Sequence, residues 1–174
     1  GWWLDTAVRV WDVDTGRMLQ VLSGHGNTIT GLSFAANGKQ LVSLDEDSVL
    51  IKWRVDDGAL LSRQRTDFAR PSIAPLSDGR SVAIGGASRS ELAIWDTENG
   101  AIMSRTRDPR GGIFAVALDP MEERIAYSTA DGAVTVRDLA TLEIEHVFTS
   151  HHAEAPRVAF ASAGRRLVSV GGNG

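Results

Sequence analysis

An all-β fold built from about four copies of a four-stranded unit is what the sequence predicts, on three observations. Trp11, Trp53 and Trp95 stand 42 residues apart, and the next step lands on Arg137, followed by Asp138. Other columns keep the same step. Asp12, Asp96 and Asp138 follow the marker, with Arg54 as the exception; Gly16, Gly58 and Gly100 form a turn column broken only by Leu142. Asp5, Asp47, Arg89 and Asp131 stand six residues before the marker, and His25 recurs as His151 three steps on. Between these columns run short β-branched or apolar stretches separated by Gly, Asn and Asp, with no helical periodicity of useful length. Independent columns that share one step indicate a structural repeat.

Within one period the first strand begins at Ile29 and runs through Leu32 and Phe34. Asn37-Gly38 supplies a turn, Leu41-Val42-Ser43 a second strand, and Asp45-Glu46-Asp47 another turn. Val49 to Trp53 is the third strand, and after Asp56-Asp57-Gly58 a fourth runs from Leu60 to Arg65. Tight Asn, Asp and Gly turns join antiparallel neighbours. Later periods supply Leu92 to Trp95, Ile102 to Arg107, Ile113 to Leu118, Arg124 to Ser128, Val134 to Arg137, Ile144 to Thr149, Arg157 to Phe160 and Arg166 to Val170. The chain thus divides into residues 1–23, the end of one unit; 24–65, 66–107 and 108–149, complete units; and 150–174, the first half of another. A unit this small cannot bury both faces of its sheet alone. Units must stack, and radial stacking gives a β-propeller.

Composition bounds the chemistry. The 174 residues carry 18 Lys plus Arg and 22 Asp plus Glu, a formal charge of -4, which opposes a general nucleic-acid binder. No Cys is present, so thiol catalysis, disulfides and thiolate metal sites are excluded. The longest apolar run, Ile113 to Leu118, is far below the roughly 18 residues of a membrane helix.

These residues resemble the WD-repeat family. The resemblance rests on Gly24-His25, then Asp47, then Trp53, on Trp95-Asp96, Trp11-Asp12 and Asn37-Gly38, and on the 42-residue step over nearly the whole chain. It implies a WD-repeat propeller portion in which His, Ser or Thr, turn Asp and third-strand Trp form a hydrogen-bonded chain; here that is His25, Ser43, Asp47 and Trp53. His151 and Ser169 repeat the beginning of the set, with Asn173 in the Asp column. Asp67 and Pro109 occupy the His column elsewhere, Arg89 replaces an Asp and Arg137 a Trp, so those units are expected to rely on packing alone and to be less rigid.

Other chemistries fail on spacing or context. His25, Ser43 and Asp47 could be read as a hydrolase triad, but no Gly-x-Ser-x-Gly turn exposes a nucleophile and the repeat already accounts for all three. His146, His151, His152 and Glu154 match no usual zinc spacing. Asp12, Asp14 and Gly16 begin like a calcium loop, yet Ser23 stands where a bidentate Glu is needed. Gly85-Gly86 and Gly171-Gly172 open no helix and precede no Lys-Ser or Lys-Thr. No metal or other cofactor is expected. Arg105 and Arg107 alternate on an outer strand, where charge protects an edge.

The function expected is a non-catalytic scaffold for protein or peptide partners. In the resembling family the preferred face displays residues just after the His column and just before the turn Asp. Here these are Thr28, Arg70, Gly112 and Glu154, then Glu46, Ser88 and Ala130, with Arg110 nearby. The alternative, a small-molecule or hydrolytic site in the central channel, needs carboxylates or histidines on the first strands, whereas Ile113 to Leu118 is apolar. A section of a larger propeller is expected, since adjacent Trp2 and Trp3 would otherwise be an exposed apolar patch.

Overall fold

The computed structural model describes residues 5–35, 38–68, 71–88, 90–149, 151, 157–161 and 163–171. Trp2, Trp3, Asn37, Arg70, Arg89, His152, Glu154, Gly172 and Asn173, all named above, lie outside the described residues. Sixteen strands and no α-helix occur among those described. β1 (Val8–Trp11) and β2 (Met18–Leu22) pair as a two-stranded sheet. β3 (Ile29–Ala35), β4 (Gln40–Asp45), β5 (Val49–Arg54) and β6 (Leu60–Arg65) form a four-stranded sheet in chain order. The next contains β7 (Ser72–Pro75), β8 (Ser81–Gly86), β9 (Glu91–Asp96) and β10 (Ile102–Arg107). The third contains β11 (Ile113–Leu118), β12 (Arg124–Thr129), β13 (Val134–Asp138) and β14 (Ile144–Phe148). β15 (Arg157–Ala161) and β16 (Arg166–Val170) close the order as a second two-stranded sheet. All pairings are antiparallel, so each four-stranded sheet is a simple meander, one blade of a propeller.

The 42-residue step reaches finer detail than strand order. Where the marker residue pairs with the fourth strand, the register shifts in every sheet: between Val10 and Trp11, between Lys52 and Trp53, opposite Trp95, and between Val136 and Arg137. The extra residues on the outer strands are Leu19, Leu61, Met103 and Glu145, again one step apart. Such bulges bend a strand and sharpen its twist, which shapes the outer edge of a blade.

The core lies between sheets. Val8, Val10 and Leu22 of the first sheet pack on Leu41, Ile51 and Trp53 of the second. Val42, Leu44 and Leu50 meet Val82 and Ile73 of the third, and Ala83, Leu92 and Ile94 meet Ile113, Ile125 and Tyr127 of the fourth. Middle strands are accordingly buried on both faces: every residue of β8 and β9 is buried. First strands touch in the order β3, β7, β11 and β15. They border a hollow of about 350 Å³ where Leu32, Ile73, Phe114 and Val116 alternate with Thr30, Ser72 and Arg157; its lining includes no carboxylate or histidine among the described residues. No helix among the described residues is long and apolar enough to cross a membrane.

Candidate functional site

The polar core of the β3–β6 blade is built on one short path. Trp53 on β5 donates its indole N–H to Ser43 Oγ on β4 at 2.8 Å. Ser43 Oγ lies 2.6 Å from His25 Nε2, and His25 Nδ1 lies 2.7 Å from Asp45 Oδ2. With the proton on Nδ1, each group has its partner: indole to hydroxyl, hydroxyl to imidazole, imidazole to carboxylate. Gly24 lets the chain pass over the indole, since a Cβ there would sit 2.9 Å from the Trp53 ring.

The carboxylate in this chain is Asp45, and Asp47 is corrected accordingly. β4 extends through Asp45, which pairs with Ile29, and the turn closes from Ser48 N–H to Asp45 O at 3.0 Å. Asp45 therefore opens the turn, with Oδ1 accepting the Val49 amide at 2.9 Å and Oδ2 facing the imidazole. Asp47, two residues on, is exposed. Strand alternation explains the choice: Ser43 and Asp45 are two residues apart and share one face of β4. In the β11–β14 blade the equivalent turn uses the other column. There Asp131 accepts from the Thr129 hydroxyl at 2.7 Å and the Ala133 amide at 3.0 Å.

His25, Ser43 and Asp45 have the spacing of a hydrolase triad but not its accessibility. Ser43 is fully buried, and its hydroxyl oxygen already receives the Trp53 N–H. A nucleophile must reach a substrate carbonyl beside oxyanion donors, and this one is sealed beneath an indole.

Two other blades fill the same columns differently. In β7–β10, Gly85 stands in the Ser43 column, and Phe68, one residue beyond the His column, packs with Ile84, Ala93 and Trp95. The Trp95 indole N–H finds no partner among the described residues, and this apolar packing is what surrounds its ring. In β11–β14 the expectation of packing alone fails. Tyr127 stands in the Ser43 column, Arg137 in the Trp53 column and Asp108 in the Gly24 column. Tyr127 OH donates to Asp108 Oδ2 at 2.7 Å, and Arg137 Nε donates to Tyr127 OH at 2.7 Å. Arg137 also donates to Leu142 O and Arg107 O, and its guanidinium lies 4.0 Å from Asp108.

Electrostatics follows from this enclosure. Burial raises the Asp108 pKa, but the Tyr127 hydroxyl, the Arg110 amide and the charges of Arg110 and Arg137 outweigh it and hold the carboxyl below 3.8. Burial, helped by the bond to Asp108, pushes the Tyr127 hydroxyl up to about 12 against the pull of Arg137. The blade's polar centre is thus an ion pair relayed through a neutral phenol.

The remaining markers serve turns. Asp12 accepts from the Thr15 amide at 2.7 Å and hydroxyl at 2.6 Å, and Asp138 does the same for Thr141 at 2.8 and 2.9 Å. Asp96 is bound by Arg80, whose guanidinium holds its carboxyl down to about 2. His151 Nε2 lies 2.7 Å from Ser169 Oγ, copying His25 and Ser43 in β15–β16.

The rim residues separate into two groups. Thr28 and Glu46 are exposed and adjacent, with the Glu46 amide donating to Thr28 O at 2.9 Å. Beside them opens a hollow of about 550 Å³ lined by Asn27, Thr30, Glu46 and Pro71. Ser88 and Ala130 are exposed at the corresponding turns. Arg110 is instead half-buried, 3.2 Å from Asp108, and belongs to the polar centre of its blade rather than to the rim; Gly112 is buried against Ala87. No group of three or more His, Cys, Asp or Glu that could hold a metal exists among the described residues.

Four-stranded meanders packed face to face, with a His–Ser–Asp–Trp chain in one of them, define a bladed repeat protein. Residues 16–54 match the WD domain, G-beta repeat family, so the chain carries a WD repeat there. It is 23% identical over 95% of its length to periodic tryptophan protein 2 of Arabidopsis thaliana. It is 26% identical over 75% of its length to autophagy-related protein 16 of Arabidopsis thaliana, and 33% identical over 58% to transcription initiation factor TFIID subunit 5 of Caenorhabditis elegans. The chain spans 19%, 26% and 16% of these relatives' lengths.

Proposed function

We propose that the chain is a non-catalytic platform that binds protein or peptide partners on the face bearing Thr28 and Glu46. The observation that carries this reading is their adjacency: both are exposed, tied together through the backbone, and set at the mouth of a hollow on a rigid two-faced sheet stack. Side chains on turns held by a rigid scaffold are suited to recognition because little of their positioning is lost on binding. One relative is by name a subunit of a transcription initiation factor, which supports a role in assembly. The hollow between the first strands supports the platform over a channel enzyme, for among the described residues its lining includes no carboxylate or histidine to serve a substrate as acid or base.

Peptides selected from a displayed library by the chain test the reading. Binders are expected to lose tenfold or more in affinity against Glu46→Arg or Thr28→Arg, while both variants keep the native melting temperature. Selected peptides that bind both variants as well as the native chain would place recognition elsewhere.

A further inference from the structure

The outer strands of two neighbouring blades carry the same four-residue pattern. Ser62-Arg63-Gln64-Arg65 on β6 becomes Ser104-Arg105-Thr106-Arg107 on β10, one 42-residue step later. In both sheets these residues pair regularly with the third strand, just beyond the bulged Leu61 and Met103. Arg63 stands opposite Ile51 and Arg65 opposite Val49, as Arg105 does opposite Ala93 and Arg107 opposite Glu91. The two arginines of each strand therefore share one face. Gln64 points the other way and donates to Glu98 O of the next blade at 3.1 Å, which anchors β6. All four arginines are exposed. Arg107 holds the buried carboxylate of Glu91 at 2.9 Å, whereas Arg63, Arg65 and Arg105 have no ion pair with a described residue.

β6 and β10 are the last strands of complete four-stranded blades, so their outer edges are open by strand order alone. Charge on an edge hinders pairing with other chains. That need is the same for every outer strand, yet β2 carries no charge at all and β14 no arginine. Edge protection accordingly leaves the repeated pattern unexplained.

We propose that β6 and β10 each accept an extended, acidic segment of a partner protein as a fifth strand. Alternate side chains of an extended chain repeat at about 6.7 Å. Carboxylates at every second position of the segment thus meet Arg63 and Arg65 on one edge, or Arg105 and Arg107 on the other. Opposite charges on facing residues stabilise a strand pair and like charges oppose it, so the same arginines that repel basic strands select acidic ones. Backbone hydrogen bonds supply affinity, and the arginines supply the choice of sequence. Nucleic acid fits less well. The net charge of -4, with Asp56, Asp57 and Glu98 in the turns that lead into these strands, opposes a continuous polyphosphate, whereas a short strand ends clear of those turns.

Fluorescence anisotropy of the 174-residue chain with a labelled peptide of alternating Glu and Thr, about eight residues long, tests this. A control peptide has the same composition with its Glu in one run and its Thr in another. The alternating peptide is expected to bind roughly tenfold more tightly than the control, and to slow amide exchange within 62–65 and 104–107. Arg63→Glu, Arg65→Glu and Arg105→Glu together are expected to weaken it by roughly tenfold or more with native β circular dichroism; Arg107 stays in place because it holds Glu91. The milder pair Arg63→Gln and Arg105→Gln is expected to weaken it roughly threefold. No binding of the alternating peptide up to roughly 1 mM, or equal binding of the two peptides, overturns the proposal. So does a single-stranded oligonucleotide that binds the same arginines as tightly at the same salt.

Discussion

Asp108→Ala is expected to lower the unfolding free energy by about 3–5 kcal/mol, because it strands the buried Arg137 guanidinium without its counter-charge. Urea unfolding measures this as a fall in midpoint at unchanged slope. Arg110→Ala, which touches the same carboxylate from a partly exposed position, should cost less than about 1 kcal/mol. The double variant Asp108→Ala, Arg137→Met should lose less than the sum of its parts, since removing both charges leaves neither unpaired. The sign of the pH dependence also follows. Asp108 has a depressed folded pKa, so its stabilisation is complete above its ordinary value of 3.8 and is lost as pH falls through the folded value. The native chain's advantage over Asp108→Ala should therefore shrink below pH 3.8.

The second large effect separates two aspartates. Asp45→Ala removes the acceptor of both the His25 N–H and the Val49 amide inside the core, and should cost roughly 2–4 kcal/mol. Asp47→Ala, at an exposed turn position, should change stability by less than about 0.5 kcal/mol. Parallel thermal melts decide it; equal losses from the two would return the chain to Asp47 and reject the geometry around His25.

Much of the architecture was legible because blade spacing is written in side chains that cannot be moved. A marker indole, a turn Gly and an acidic turn residue recur together only if the backbone returns to the same place. The choice between Asp45 and Asp47 was not legible by column. Both lie in one turn, and which faces the imidazole depends on where β4 stops pairing, a matter of one residue pair, Ile29 with Asp45. The Asp108–Tyr127–Arg137 centre was missed for a different reason. Pro109 and Arg137 read singly as losses of family residues, whereas three columns changed together: an acid for Gly24, a phenol for Ser43 and a base for Trp53. Reading the columns jointly would have revealed the exchange, since a buried charge is tolerated only with its opposite nearby. Phe68 offered a weaker signal. It sits one residue out of the His column, and its place against the Trp95 ring, whose N–H has no partner among the described residues, shows only in the structure.

Transplanting one polar centre into the other blade tests the claim that equivalent steps occupy equivalent places. Asp108→Gly, Pro109→His, Tyr127→Ser, Thr129→Asp and Arg137→Trp together copy Gly24, His25, Ser43, Asp45 and Trp53 into β11–β14. In urea unfolding the five-residue exchange should be more stable than Arg137→Trp alone. A loss equal to or larger than the sum of the five single losses would contradict the account.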